Sequence, residues 1–279
     1  MPHLDLIVAA LWPKEALGPF LADIKRTTKL PCNVYSLDVA SGAAPPKTLS
    51  AAWNELAGKG NGDLLAFMKT DVLLCPGWDL RLSETLEAFP QVGVAIPAFF
   101  GNERPIKLVA EGPSTTLKEG EPGIADMTAI ANWAEMFTGV IYLYEELNAP
   151  FSVAMMQRST WQALDGFDER FRVFGHDHDF QARMNHDTGQ MAASARSCPA
   201  YSKSGTASME SMMRIYADLG EEYAHLTAAR ELVAREGPWH KLSKEAKAKV
   251  RANPQFSTLP LSGYAAKLLE LRKAGADVE

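Results

Sequence analysis

No stretch of the sequence is apolar for long enough to cross a membrane, and a span needs about 20 predominantly apolar residues. The first segment, MPHLDLIVAALWPKE, has no basic start, and its apolar run is too short for a secretory signal. Cysteine is scarce: Cys32, Cys75 and Cys198 are widely spaced, odd in number and set mostly in apolar surroundings. That excludes a disulfide framework and zinc-type spacing, and it fits buried thiols in a reducing compartment. Positive charge is also short, with 28 Lys and Arg against 34 Asp and Glu and a net charge of -6. Wholesale attraction to nucleic acid or anionic lipid is thereby disfavoured, although a local basic patch remains compatible with it. Internal repeats and low-complexity tracts are missing as well. A cytoplasmic, soluble globular protein is expected, and 279 residues suffice for a sizeable core.

What the chain does contain is a rhythm. Short apolar runs at Leu4–Leu11, Asn33–Leu37, Leu64–Met68 and Val92–Ile96 alternate with helical patterns at Lys14–Thr28, Lys47–Ala57 and Leu80–Ala88. This order predicts βαβ units and a mostly parallel central sheet flanked by helices. The central stretch is Gly62 to Asp79, GDLLAFMKTDVLLCPGWD. Its continuous run Leu64–Met68 reads as a strand buried on both faces, and it stops abruptly at Lys69-Thr70-Asp71. Charged groups at the carboxyl end of such a strand lie where open α/β sheets bind ligands. Taken alone, the lysine and aspartate are as well explained as a loop that caps the next turn.

Beyond Pro97 the alternation breaks. Gly101–Gly123 is rich in glycine, proline, threonine and charge, and predicts a long surface loop within a variable region, 99–148. A helix over Asp126–Phe137 and strands at Val140–Tyr144, Phe151–Met156 and Met191–Cys198 follow, with a turn at Asp165–Asp168 and a helix over Asp179–His186. A body of residues 1–208 is expected, carrying a C-terminal helical appendage, 209–279. That appendage has helical spacing over Met209–Arg235 and further helices at Lys241–Arg251 and Gly263–Ala274. Lys241, Lys244, Lys247, Lys249 and Arg251 make a basic stretch, read first as a solvated helix face and second as a contact for a phosphate-bearing partner.

Two blocks in register carry a resemblance. Asn54, Gly62-Asp63, Asp71 and Pro76-Gly77-Trp78 come first; Gly166-Phe167-Asp168-Glu169, Asp177, Asp179 and Arg183 follow in GFDERFRVFGHDHDFQAR. Over roughly residues 4–206 the chain resembles the family 2 inverting glycosyltransferases of GT-A fold, which use nucleotide-sugar donors. The resemblance implies a hexosyltransferase-like enzyme moving a sugar from a nucleoside diphosphate, a uridine one first, to an acceptor hydroxyl. The acceptor implied is a glycan, a small molecule or a hydroxylated nucleic-acid base. It implies that Asp177 is the base that deprotonates the acceptor and that Asp71 holds a divalent metal, Mn or Mg, against the diphosphate. Asp38, at a strand end, accepts from the base or ribose, or else ends a turn. Trp12 flanks the base or fills the core. Asn54, Lys69 and His176 complete the implied donor site, and Asp179 caps the helix that begins there.

The chain departs from the family pattern at three places. Lys69 stands at the first acidic position of the D-x-D, His176 stands where a glutamate precedes the base, and Tyr201 lies near the later metal-binding histidine. Two alternatives follow: His176, His178 or waters complete the metal site, or Lys69 or Lys203 neutralises phosphate directly. These departures also motivate a second reading, a sugar-nucleotide-binding protein without turnover. A third, a nucleotidyltransferase, lacks its glycine-rich loop after the first strand.

Overall fold

The computed structural model describes residues 1–10, 14–38, 48–100, 123–172, 174–202 and 220–252. In chain order the elements are β1 (Leu4–Ala10), α1 (Lys14–Thr27), β2 (Cys32–Asp38), α2 (Leu49–Gly58), β3 (Leu64–Met68), β4 (Val72–Leu74), α3 (Trp78–Ala88) and β5 (Val92–Phe100). Then come α4 (Ile124–Ala134), β6 (Ile141–Leu143), β7 (Val153–Gln157), α5 (Arg158–Ala163), α6 (His176–Thr188), β8 (Met191–Ser202), α7 (Gly220–Glu236) and α8 (Lys244–Ala252). Trp12, Lys203, the Gly101–Gly123 loop up to residue 122, the Met209–Met213 group and the helix expected at Gly263–Ala274 lie outside the described residues. Among the described residues no helix is long and apolar enough to cross a membrane.

The strands form one sheet in the order β2-β1-β3-β7-β5-β8-β4, with β6 paired to β8. The α/β architecture is the expected one, but the sheet is mixed. β1 pairs in parallel with β2 and β3, and β5 with β8, whereas β7 runs antiparallel between β3 and β5, and β4 and β6 run antiparallel to β8. Side-chain alternation divides the core between the two faces. Leu4, Leu6, Val8, Ala66 and Met68 join one cluster with Phe20, Trp78 and Met127 from α1, α3 and α4. Ile7, Ala9, Leu65 and Phe67 join the other with Trp53, Phe167 and Phe180 from α2, the Asp165–Glu169 turn and α6. Burying one such large side chain contributes about 1.5–3 kcal/mol.

Three elements differ from the sequence expectation for identifiable reasons. β5 does not stop at Pro97 but continues to Phe100, because a register shift between Pro97 and Ala98 absorbs the missing N–H. Opposite it, β8 runs past Pro199 to Ser202, and its last residues pair with β4. α6 begins at His176, not at Asp179: Gly175 precedes it at φ +83°, and no side chain caps the helix. Asp179 is therefore not the cap. It sits one turn in and pairs with Arg183 across a 2.7 Å contact.

Candidate functional site

β1, β2 and β3 end at one edge of the sheet, at Ala10, Asp38 and Met68. β7 starts there, with Val153 opposite Met68, and the Lys69 N–H donates to Ser152 O at 2.9 Å. From Met68 the chain must reach β4 at the far end of the strand order. Laid flat, those four strand steps would span about 19 Å, while four Cα steps reach at most about 15 Å. The sheet must curl for the connection to close, and the shifts in β5 and β8 mark where its upper part departs from regular pairing. Lys69-Thr70-Asp71 is the corner that bridges this curl. Lys69 and Asp71 are half-buried and Thr70 is buried. The Thr70 hydroxyl has no hydrogen-bond partner among the described residues, which marks a polar atom that a ligand can satisfy.

The second part of the site is the first turn of α6. Gly175 is required where it stands: φ is positive, and a Cβ there would lie 2.7 Å from Leu226 Cδ1 and 2.9 Å from Phe171 Cδ1. Glycine lets the chain turn under α7 and deliver His176 and Asp177 to the helix N-terminus, whose dipole favours an anion. Asp177 is partly exposed. It accepts from the His178 backbone N–H at 3.0 Å, and its carboxylate lies 3.3 Å from His178 Nδ1. Burial pushes its carboxyl up, but the hydrogen bond to His178 and the charges of His176, His178 and Lys69 outweigh that and hold it below the ordinary carboxylate range. His178 is shifted the opposite way, its pKa raised by the bond to Asp177.

The other expected donor-site residues fare differently. His176 is buried, with its ring edge-on to Trp53 at 5.1 Å and to Phe167 at 5.9 Å. It supports the turn from inside the aromatic cluster. Asn54 is committed to the Asp165–Glu169 turn: its amide donates to Phe167 O at 2.8 Å and accepts from Phe167 N–H at 2.8 Å. It also donates to Glu169 Oε1 at 3.2 Å. Its place next to a positive-φ glycine explains this, since a Cβ on Gly166 would lie 2.4 Å from Asn54 Oδ1. Asp38 ends β2 opposite Ala10, at the site edge.

Sequence reasoning missed the ionic scaffold around that turn. Asp168 and Arg170 form a fully buried pair at 2.6 Å, and Arg170 also donates to Gly237 O. Arg183 donates to Leu164 O and Gly166 O. From the C-terminal helices, Arg251 grips Glu169, Lys247 pairs with Asp165, and the Trp239 indole donates to Asp165 O at 3.1 Å. Two residues of the basic stretch, Lys247 and Arg251, thus close on the body, while Lys244 and Lys249 are exposed. Lys241 also faces an acid, Asp187, at 3.4 Å. The only sequence signal was the acid-rich turn itself, which names no partner.

For a divalent ion the described donor set is a poor fit. Asp71 follows Lys69 by two positions, and Tyr201, near the family's later histidine position, is buried, its ring 5.6 Å from Phe100. No group of three His, Cys, Asp or Glu side chains able to hold a metal occurs among the described residues.

No known protein family profile matches the sequence, and no curated protein matches it either. Solved structures do match the fold. The mannosyltransferase PcManGT from Pyrobaculum calidifontis, in complex with GDP-Man and Mn2+, superimposes with a TM-score of 0.51 at 16% identity, covering 98% of this chain and 76% of that one. GalNAc-T7 with UDP, GalNAc and Mn2+ aligns at a TM-score of 0.45 and 9% identity, over 72% of this chain and 43% of that one.

Proposed function

We propose that the chain, which has the mixed α/β fold of GT-A glycosyltransferases, is itself a glycosyltransferase of the inverting, family 2-like kind, moving a sugar from a nucleoside diphosphate to an acceptor hydroxyl. The observation that carries this reading is Asp177: a partly exposed carboxylate in the first turn of α6, whose only side-chain partner among the described residues is its neighbour His178. Asp177 takes the proton of the acceptor hydroxyl as that oxygen attacks the anomeric carbon. The bond to the diphosphate oxygen breaks on the opposite face, and the Lys69 ammonium meets the charge that grows there. Asp71, Thr70 and Asp38 line the same strand-end edge and are assigned to the donor.

The departures at Lys69 and Tyr201 favour the second reading, a sugar-nucleotide-binding protein without turnover. One experiment separates the two. Purified protein is screened against UDP- and GDP-sugars, with and without manganese, for melting-temperature shift and for sugar release or transfer. Stabilisation by a donor together with turnover supports the enzyme, and stabilisation without turnover supports the binding protein. A panel that shifts nothing removes both. In the active case Asp177→Asn is expected to lose about 10²–10⁴-fold in rate while its donor-induced melting shift stays unchanged. Transfer by this variant at the parent rate would reassign the base.

A further inference from the structure

We propose that Arg251, on the last described helix, is a positioning residue for the base, acting through Glu169 and Asn54 on the first turn of α6. The inference rests on the reading of Asp177 as base and adds that the C-terminal helices belong to the reaction machinery. The Arg251 guanidinium holds Glu169 in a two-pronged contact, Nε to Oε2 at 2.8 Å and Nη2 to Oε1 at 2.9 Å. The Glu169 carboxylate is 9% exposed, so it needs a counter-charge to stay ionised in place. Its Oε1 also receives the Asn54 amide, which is locked by two 2.8 Å bonds to the Phe167 backbone. The Phe167 ring then packs on Phe67 at 4.8 Å, Trp53 at 5.2 Å and His176 at 5.9 Å. His176 is the residue before Asp177. A continuous set of contacts therefore runs from a helix at residue 251 to the carboxylate at residue 177.

The anchoring at the helix end is as specific as at the turn. The Arg251 guanidinium lies 5.7 Å from the Trp239 ring centre, over its face, and Lys247 lies over the same ring at 5.4 Å while pairing with Asp165. α8 thus grips both ends of the Asp165–Glu169 turn. Loss of the fork would leave Glu169 buried without its cation. The carboxylate then swings outward, Asn54 loses an acceptor, and Phe167 loses the fixed seat on which His176 rests.

The test uses the whole 279-residue chain and reads Arg251→Ala, Arg251→Lys and Glu169→Gln against Lys244→Ala as control. In the transfer assay Arg251→Ala is expected to lower kcat by about ten- to a hundredfold, because a misplacement of order 1 Å costs on that scale, with donor KM unchanged. Arg251→Lys keeps the charge but not the fork, so it should fall between parent and alanine variant. Lys244→Ala, an exposed change on the same helix, should leave kcat alone. An activity-independent arm follows the His176 ring signals by NMR, assigned against His176→Gln, since the Trp53 and Phe167 rings shift them. Those signals should move in Arg251→Ala and much less in Lys244→Ala. Should Arg251→Ala fail to fold, Arg251→Lys and Glu169→Gln carry the same comparison. Unmoved His176 signals, or a parent-like kcat in a folded Arg251→Ala protein, overturn the proposal. If the parent transfers no sugar, the reading of the base fails, yet the NMR arm still decides whether Arg251 positions the α6 turn.

Discussion

The two edges of the central sheet hold similar residues and use them in opposite ways. At the amino edge, Asp5 is fully buried and fully committed: it accepts from Gly62 N–H at 2.7 Å and pairs with Arg158 at 2.5 Å. Arg158 in turn donates to Gly62 O and Ala57 O, tying α2, β3 and α5 together. At the carboxyl edge, Asp177 is partly exposed, and its hydrogen bonds come from its neighbour His178. The Thr70 hydroxyl there finds no partner among the described residues. A carboxylate that is saturated by fixed donors stabilises the fold; one left with open acceptor positions, in a positive field, is available for chemistry. Aspartate identity does not separate the two roles. Burial and partner count do.

Three substitutions would break or sharpen this contrast. The largest effect is expected at the committed edge. Arg158→Ala leaves Asp5 buried without its cation and should destabilise the fold by about 3–5 kcal/mol, read as a lowered denaturation midpoint, with donor binding intact in the protein that remains folded. A loss below 1 kcal/mol would show that Asp5 is held well enough by its backbone donor alone. This is the mirror image of Asp177→Asn, which should remove rate and leave stability.

At the open edge, Lys69→Ala should weaken donor binding by about tenfold or more, since charge-assisted contacts to phosphate contribute about 1.5–3 kcal/mol, while thermal stability barely changes. Calorimetric titration with the best donor from the screen measures this. Unchanged affinity would leave Lys69 as a surface lysine and move the phosphate contact elsewhere.

The smallest effect concerns Asp179, which lies one helical turn from the open edge yet behaves like a committed residue. Burial pushes its carboxyl up to about 6 against the pull of Arg183, with the Asp168 charge adding to the rise. The native state then binds this proton more tightly than the unfolded chain, where the group titrates near 4. Its contribution is therefore full below about pH 4 and lost as pH rises through about 6. Asp177, shifted downward, does the reverse: its contribution is present above about pH 4 and fades only at more acid pH. Subtracting the stability-versus-pH curve of Asp179→Asn from that of the parent should isolate a fall between about pH 4 and 6. A flat difference would place Asp179 as a permanently ionised partner of Arg183. An acid limb of transfer near pH 6 that disappears in the same variant would belong to Asp179, because Asp177 stays ionised throughout that range.

Much of the framework was legible in the residues. The run Leu64–Met68 read as a strand covered on both faces, being short, continuous and closed by polar residues at either end, and the GHDHD block pointed to a helix start. Boundaries failed where one residue had two possible uses. Pro97 read as a terminator and the last strand was expected to end at Cys198, yet both fall at the register shift beyond which β5 and β8 continue. Asp179 read as a cap because aspartate caps helices, but Gly175 set the start three residues earlier and left Asp179 to pair along the helix. Asn54 read as a ligand contact, but its amide is consumed by a turn 113 residues away. The basic stretch from Lys241 read as a solvated face, and Lys241, Lys244 and Lys249 are exposed, but Lys247 and Arg251 close on Asp165 and Glu169, each 82 residues distant.

The sequence by itself determined the alternation of strands and helices, the two-faced core and the positions of charge at strand ends, because these follow from local periodicity and from which side chains water rejects. Tertiary structure alone decided which charges are spent and which are left open. Pairing across about a hundred residues depends on how the sheet curls between β3 and β4, and on which helix comes to rest against which turn. Asp5 finds its partners on such distant elements, at Gly62 and Arg158, whereas Asp177 keeps, among the described residues, only its neighbour His178, a difference that no local pattern of residues carries.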